Sequence, residues 1–180
     1  MPSSTTASFA SLLAAQVRNE FTASQQYAAV AVWFDNHDLP RLAAHFYRQS
    51  VEERNHAMMM VRHLLDRELP VTITGVDDVR NEFSAPAEVI AMALAQERTV
   101  TEQVESIFRA ARAEGDLLGE QFMGWFLKEQ VEEVAAMSSL VTISERAKDN
   151  WFQIEDHLAR EAVGDAGVDA SAPAAAGGLL

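Results

Sequence analysis

The sequence predicts an all-α fold: four long helices in a bundle with one long crossover connection, followed by a short fifth helix. Three observations predict it. Of 180 residues 48% are hydrophobic and only 8 are Gly and 5 Pro, while the good helix formers Ala, Leu, Met, Glu and Gln are common. Four stretches of roughly 28 residues repeat their apolar positions in alternating steps of three and four, the period of a helix buried along one face. The connections between them run short, long, short, which sets the direction of each helix against its neighbour.

The first helix, from about Ala7 to Phe34, carries the stripe Leu13, Val17, Glu20, Ser24, Tyr27, Ala31, Phe34. A polar link from Asp35 to Leu39 leads to Pro40, a residue suited to a first helical turn. The second helix follows, with Leu42, Phe46, Gln49, Glu53, His56, Met60 and His63 in register, and it ends near Arg67 and Glu68. Residues Leu69 to Ser84 are too long for a tight turn and too apolar for a free linker. They are expected to cross the length of the molecule and lie on its surface. The third helix runs from Pro86 to about Ala113 with the stripe Ile90, Ala93, Glu97, Val100, Val104, Ile107, Ala111, and Gly115 stops it. The fourth, Leu117 to Ala147, aligns Phe122, Phe126, Gln130, Glu133, Met137, Leu140 and Ser144. Trp151, Ile154, Leu158 and Ala162 mark the short fifth helix. With so little four-helix core left to cover, its apolar face is expected to pack against neighbouring subunits or a symmetry axis. The domain is expected to span residues 1–163, and the Ala/Gly/Asp/Pro-rich residues 164–180 to form a low-complexity, disordered tail.

A formal net charge of −13 argues against nucleic acid, whose phosphates require Lys and Arg, and favours attraction of cations. The absence of cysteine excludes disulfides, thiolate metal sites and Cys nucleophiles. The first residues lack the basic-then-apolar pattern of a secretory signal. The longest apolar run, Tyr27 to Phe34, is far too short to cross a bilayer. A soluble cytoplasmic protein is therefore expected.

Each core stripe is interrupted at mid-length by carboxylate or carboxamide residues. Glu53 and His56, three apart, share a helix face and are close enough to hold one metal ion. A carboxylate beside an imidazole suits iron, manganese or zinc. A lone Glu-x-x-His is more often a charged pair on a wet helix face. Glu20, Glu97 and Glu133 at matching depth on three other helices change that balance, because like charges in a bundle core repel unless cations neutralise them. Di-metal bundles take a Glu from each of two helices and Glu-x-x-His from each of the other two. Here the fourth helix supplies Gln130-x-x-Glu133 instead, so one metal position is better furnished than the other. Glu52, Glu129 and Glu132 extend the acidic patch on an adjoining face. Trp33, Trp125 and the run Met58-Met59-Met60 read as packing.

The stretches Asn19-Glu20-Phe21-Thr22-Ala23-Ser24-Gln25-Gln26-Tyr27, Glu52-Glu53-Arg54-Asn55-His56-Ala57 and Phe126-Leu127-Lys128-Glu129-Gln130-Val131-Glu132-Glu133 resemble those of the bacterial non-haem ferritins, most closely the actinobacterial ones, over about residues 7–162. The resemblance implies a ferritin-like bundle and a shell of 24 subunits that takes up Fe²⁺, oxidises it with O₂ and stores ferric oxide. It also implies roles: Glu20, Glu53 and His56 would hold one iron, and Glu53 would bridge to a second held by Glu97 and Glu133, with Gln130 and Tyr27 near by. Glu52, Glu129 and Glu132 match a third iron position of some bacterial members.

A haem-binding bacterioferritin is the nearest alternative. Its haem-ligating Met directly follows the bridging Glu, and Arg54 stands there, so no haem is expected. Another di-iron carboxylate oxidase, or a bundle that only sequesters metal, are further alternatives. Glu114, Asp116 and Glu120 at the third turn are candidates for an acidic pore, against an ordinary helix end favoured by its dipole.

Overall fold

The computed structural model describes residues 7–148, 150–161 and 169–180. Among these described residues five helices follow in order: α1 (Phe9–Asp35), α2 (Pro40–Asp66), α3 (Pro86–Glu114), α4 (Leu117–Ala147) and α5 (Trp151–Glu161). Each start has a local cause. The Ser8 hydroxyl accepts the Ser11 N–H at the head of α1, and Asp116 does the same for Gly119 at the head of α4. Pro40 and Pro86 open α2 and α3, where a missing N–H costs nothing. Gly115, at φ 72°, ends α3 in the left-handed conformation that lacks a Cβ penalty.

α1 packs along α2 and α3 along α4, and α1 also meets α3. The crossover between α2 and α3 is pinned to α1. The Gln26 amide donates to the Arg80 carbonyl and accepts the Arg80 N–H, both at 2.8 Å. Arg18 donates to the Gly75 carbonyl and pairs with Asp77. No strand forms over the alternating residues 71–74.

The apolar core is two clusters. One gathers Tyr27, Phe34, Phe46, Ile90, Met137 and Leu140; the other gathers Phe9, Leu13, Met60, Leu64, Ile107 and Met123. The buried polar residues Glu20, Gln49, Glu53, His56, Glu97, Gln130 and Glu133 belong to neither, and by their positions along the helices they lie between the two. The stripes hold with local exceptions. Met123, fully buried, takes the core position expected of Phe122, and Leu64 that expected of His63. His63 and Phe122 instead stack on each other, ring centroids 3.9 Å apart.

The expectation for α5 is corrected. Ile154 and Leu158 are buried against the chain's own first cluster, so the end of the bundle does leave apolar surface for them. Glu155 also accepts the Arg41 and Leu42 N–H groups at 2.9 Å each, capping α2, whose own preceding residue Leu39 offers no side-chain acceptor. Ala162 lies outside the described residues. So do residues 164–168 of the expected tail. Residues 169–180, by contrast, lie against the bundle: the Ala176 N–H reaches the Met58 carbonyl at 3.0 Å, Trp125 Nε1 donates to Asp169 at 3.0 Å, and the Leu180 N–H donates to Asn55 at 3.2 Å. Small Ala side chains allow that close approach, and a pattern without a helical period gave no sign of it.

Candidate metal centre

Glu20 from α1 and Glu53 and His56 from α2 place ligand atoms within 4.8 Å of one another, all three buried. The Glu53 carboxylate and His56 Nδ1 are 3.4 Å apart. The i, i+3 spacing on α2 thus does what its sequence implied. Glu97 on α3 and Glu133 on α4 are also buried, and both repel charge on Glu53. The bundle therefore brings together Glu20, Glu53, His56, Glu97 and Glu133 at one level. Of these five, Glu20, Glu53 and His56 form a three-ligand grouping within 4.8 Å, and Glu97 and Glu133 stand outside it.

One oxygen each of Glu20, Glu53 and Glu97 is buried without a hydrogen bond, that of Glu53 being the one that faces His56 Nδ1 at 3.4 Å. Burying such an atom costs on the order of 1–3 kcal/mol, and three at one level amount to a cation-shaped demand in the chemistry of the donors. Burial, then mutual repulsion, drives the acids toward the protonated form. Glu20 is raised well above the usual carboxylate range by burial and by Glu53; Glu53 is raised by burial and by Glu97. Burial lifts Glu97 to about 7, against hydrogen bonding from Tyr27 that lowers it. Burial lifts Glu133 to about 9, with Glu52 and Glu97 adding to the rise. Burial and repulsion thus favour protons on these acids, and an arriving cation must displace them. The Tyr27 hydroxyl donates to Glu97, and burial with that neighbouring carboxyl raises its own pKa well above normal.

A second group comprises Glu52, His56 and Glu129, again with ligand atoms within 4.8 Å. It differs from the sequence-derived trio in one member: Glu132 is exposed and pairs with Lys128 at 3.4 Å, while His56 faces both groups. The group opens on a cleft of about 880 Å³, whose walls include Glu132, Glu133, Trp125, Leu179 and Leu180.

Sequence reasoning assigned no role to two carboxamides. Gln16, buried, donates to Glu20 at 2.9 Å and to Gln103 at 3.0 Å, and accepts from Asn19 at 2.9 Å. Gln49 donates to Glu52 at 2.8 Å and lowers Glu133. Each sits one turn from a site acid on its helix, which was the available signal. The acids proposed for a pore are otherwise engaged: Glu114 accepts the Phe9 N–H at 2.7 Å, Asp116 pairs with Arg67 at 2.5 Å, and Glu120 pairs with Arg112 at 2.5 Å.

Comparison with known proteins gives this geometry a family. The ferritin-like domain matches residues 10–147. The chain is 61% identical over 172 residues to ferritin BfrB of Mycolicibacterium smegmatis, covering 96% of this chain and 94% of that protein. It is 60% identical over 172 residues, with the same coverage, to a Mycobacterium tuberculosis protein named bacterioferritin BfrB, and 30% identical over 135 residues (75% of this chain, 81% of that one) to a bacterial non-heme ferritin of Staphylococcus saprophyticus. In fold it is similar to an open-pore ferritin from Archaeoglobus fulgidus, with a TM-score of 0.81 at 23% identity, over 84% of this chain and 94% of that one. A four-helix bundle with a buried acid and imidazole centre, matched by relatives along nearly its whole length, belongs to the ferritin family of iron-storage proteins.

Proposed function

We propose that this ferritin oxidises Fe²⁺ with O₂ at a centre inside each subunit, formed by Glu20, Glu53, His56, Glu97 and Glu133, and stores the ferric product within a shell of 24 copies. The observation that carries the reading is the set of three orphaned carboxylate oxygens at one depth between two apolar clusters. One Fe²⁺ is taken by Glu20, Glu53 and His56, the other by Glu97 and Glu133 with Glu53 between them. Hard carboxylates bind Fe³⁺ more strongly than Fe²⁺, so the ligands favour oxidation. The two ions give up one electron each, and one O₂ takes both with two protons to become hydrogen peroxide. Protons displaced from the site acids are available for that step. Tyr27 keeps the Glu97 carboxyl in place by its hydrogen bond. Glu52, His56 and Glu129 serve as a third, more open position through which ions pass between the centre and the store.

The resident group is iron alone, without haem. Arg54, with one guanidinium nitrogen buried and unpartnered, occupies the place after the bridging acid where a haem-ligating Met would stand. The ferritin-like domain is assigned to residues 1–163 and the protein to the cytoplasm. None of the described helices is long and apolar enough to cross a membrane. Native mass spectrometry after aerobic iron loading tests the storage part of the reading. A 24-subunit particle retaining many irons per subunit is expected; a small oligomer that loses its iron on gel filtration would refute it.

A further inference from the structure

Thr101 stands one turn beyond Glu97 on α3. Its Oγ1 lies 2.8 Å from the Glu97 backbone carbonyl and 2.9 Å from Gln130 Oε1 on α4. A hydroxyl carries one proton, so it cannot donate to both oxygens at once. A carboxamide has an acceptor at one end and donors at the other, and a half-turn of the group exchanges them.

Two arrangements satisfy the contact. In the first, Thr101 donates to Gln130 Oε1 and the amide nitrogen is left to serve Glu97, whose second carboxyl oxygen has no hydrogen-bond partner. In the second, Gln130 Nε2 donates to Thr101 Oγ1, the threonine proton goes to the Glu97 carbonyl, and Gln130 Oε1 turns toward Glu97 and Glu133. No hydrogen bond to Thr101 is lost in passing from one to the other. Gln130 is 3% exposed, so water cannot replace a missing partner.

We propose that Thr101 is a positioning residue that lets the Gln130 carboxamide change from donor to acceptor toward the metal centre. The nitrogen faces Glu97 while no metal is bound there, and the oxygen faces the ion once it arrives. The inference rests on the reading that Glu97 and Glu133 receive a divalent ion. A valine at 101 keeps the shape but offers neither donor nor acceptor. The amide would then leave one end buried and unpartnered in whichever orientation binds metal.

The test uses the assembled protein and Co²⁺, whose visible absorption reports ligand number and geometry without turnover. In the parent, a first Co²⁺ is expected to enter the Glu20, Glu53 and His56 group, and a second the Glu97 and Glu133 position. Thr101→Val should weaken the second by roughly tenfold, the scale of one hydrogen bond, and change its spectrum while leaving the first untouched. Thr101→Ser, which keeps the hydroxyl, should restore both. Superimposable titrations of parent and Thr101→Val would overturn the inference. So would equal weakening of both ions together with a lowered melting temperature, or a serine variant that fails to rescue. A parent that takes up a single Co²⁺ per subunit, or none, would instead refute the di-metal reading itself.

Discussion

Glu53 is the acid that both halves of the centre act upon. It faces His56 on its own helix and is repelled by Glu97 and Glu133 from two others. Replacing it by Ala should reduce rapid Fe²⁺ oxidation roughly 100-fold or more, because neither ion keeps its geometry, while helix content by circular dichroism stays at the parental level. Stopped-flow oxidation at the parental rate would remove Glu53 from the centre. The third position separates two residues that the sequence had grouped. Glu129→Gln should alter the Fe²⁺ consumed per O₂ and slow later turnovers, since Glu129 joins Glu52 and His56. Glu132→Gln should leave both unchanged, because Glu132 is exposed and paired with Lys128. Parallel oxygen-electrode and stopped-flow runs on the two variants check this. The site acids were legible because an acid on a buried stripe is costly and needs a partner. Gln16, Gln49 and Thr101 were not, because their roles depend on which atom faces them across a helix interface, and periodicity carries no such information.

At the scale of elements, the period of three and four located all four long helices and their ends. It failed where partner choice decides burial: at the head of α4, Phe122 and Met123 are both apolar, and the stacking of Phe122 on His63 leaves the core position to Met123. It failed again at α5, whose amphipathic face was evident but whose docking site on the same chain was not. Glu155 there caps α2 across 113 residues of sequence. Glu155→Ala should cost about 1–2 kcal/mol, the value of a lost helix cap, which at this chain length lowers the melting temperature by about 2–4 °C per kcal/mol. Calorimetry should find that loss with oxidation kinetics intact. An unchanged melting temperature would show that the cap contributes nothing.

Over the whole molecule the buried acids set how stability responds to pH. Glu97 and Glu133 titrate at about 7 and about 9 in the folded chain, above their ordinary value of 4.5, with Glu20 and Glu53 raised as well. A raised carboxyl binds its proton more tightly folded than unfolded. Its stabilisation is therefore complete below about pH 4.5 and is lost as pH rises through 7 and 9. Carboxyls such as Asp116, which burial raises but hydrogen bonds from Arg67 and Gly119 together lower further, act oppositely, in the acid range below their ordinary value. The metal-free protein should melt at progressively lower temperature from pH 5 to pH 9, and a bound divalent ion should abolish the decline, because it takes the place of the protons. A flat profile for the metal-free protein would mean that the acids are not packed against one another as described.

Each subunit is proposed to hold two Fe²⁺ where a single O₂ can oxidise both. Metal-free protein loaded anaerobically with limiting Fe²⁺ and then mixed with O₂ tests it most directly, with absorbance and oxygen consumption recorded together. A rapid burst is expected, far faster than the same iron in buffer, that consumes one O₂ for every two Fe²⁺ and saturates at two irons per subunit. A burst that saturates at one iron per subunit, or oxidation no faster than in buffer, would contradict it.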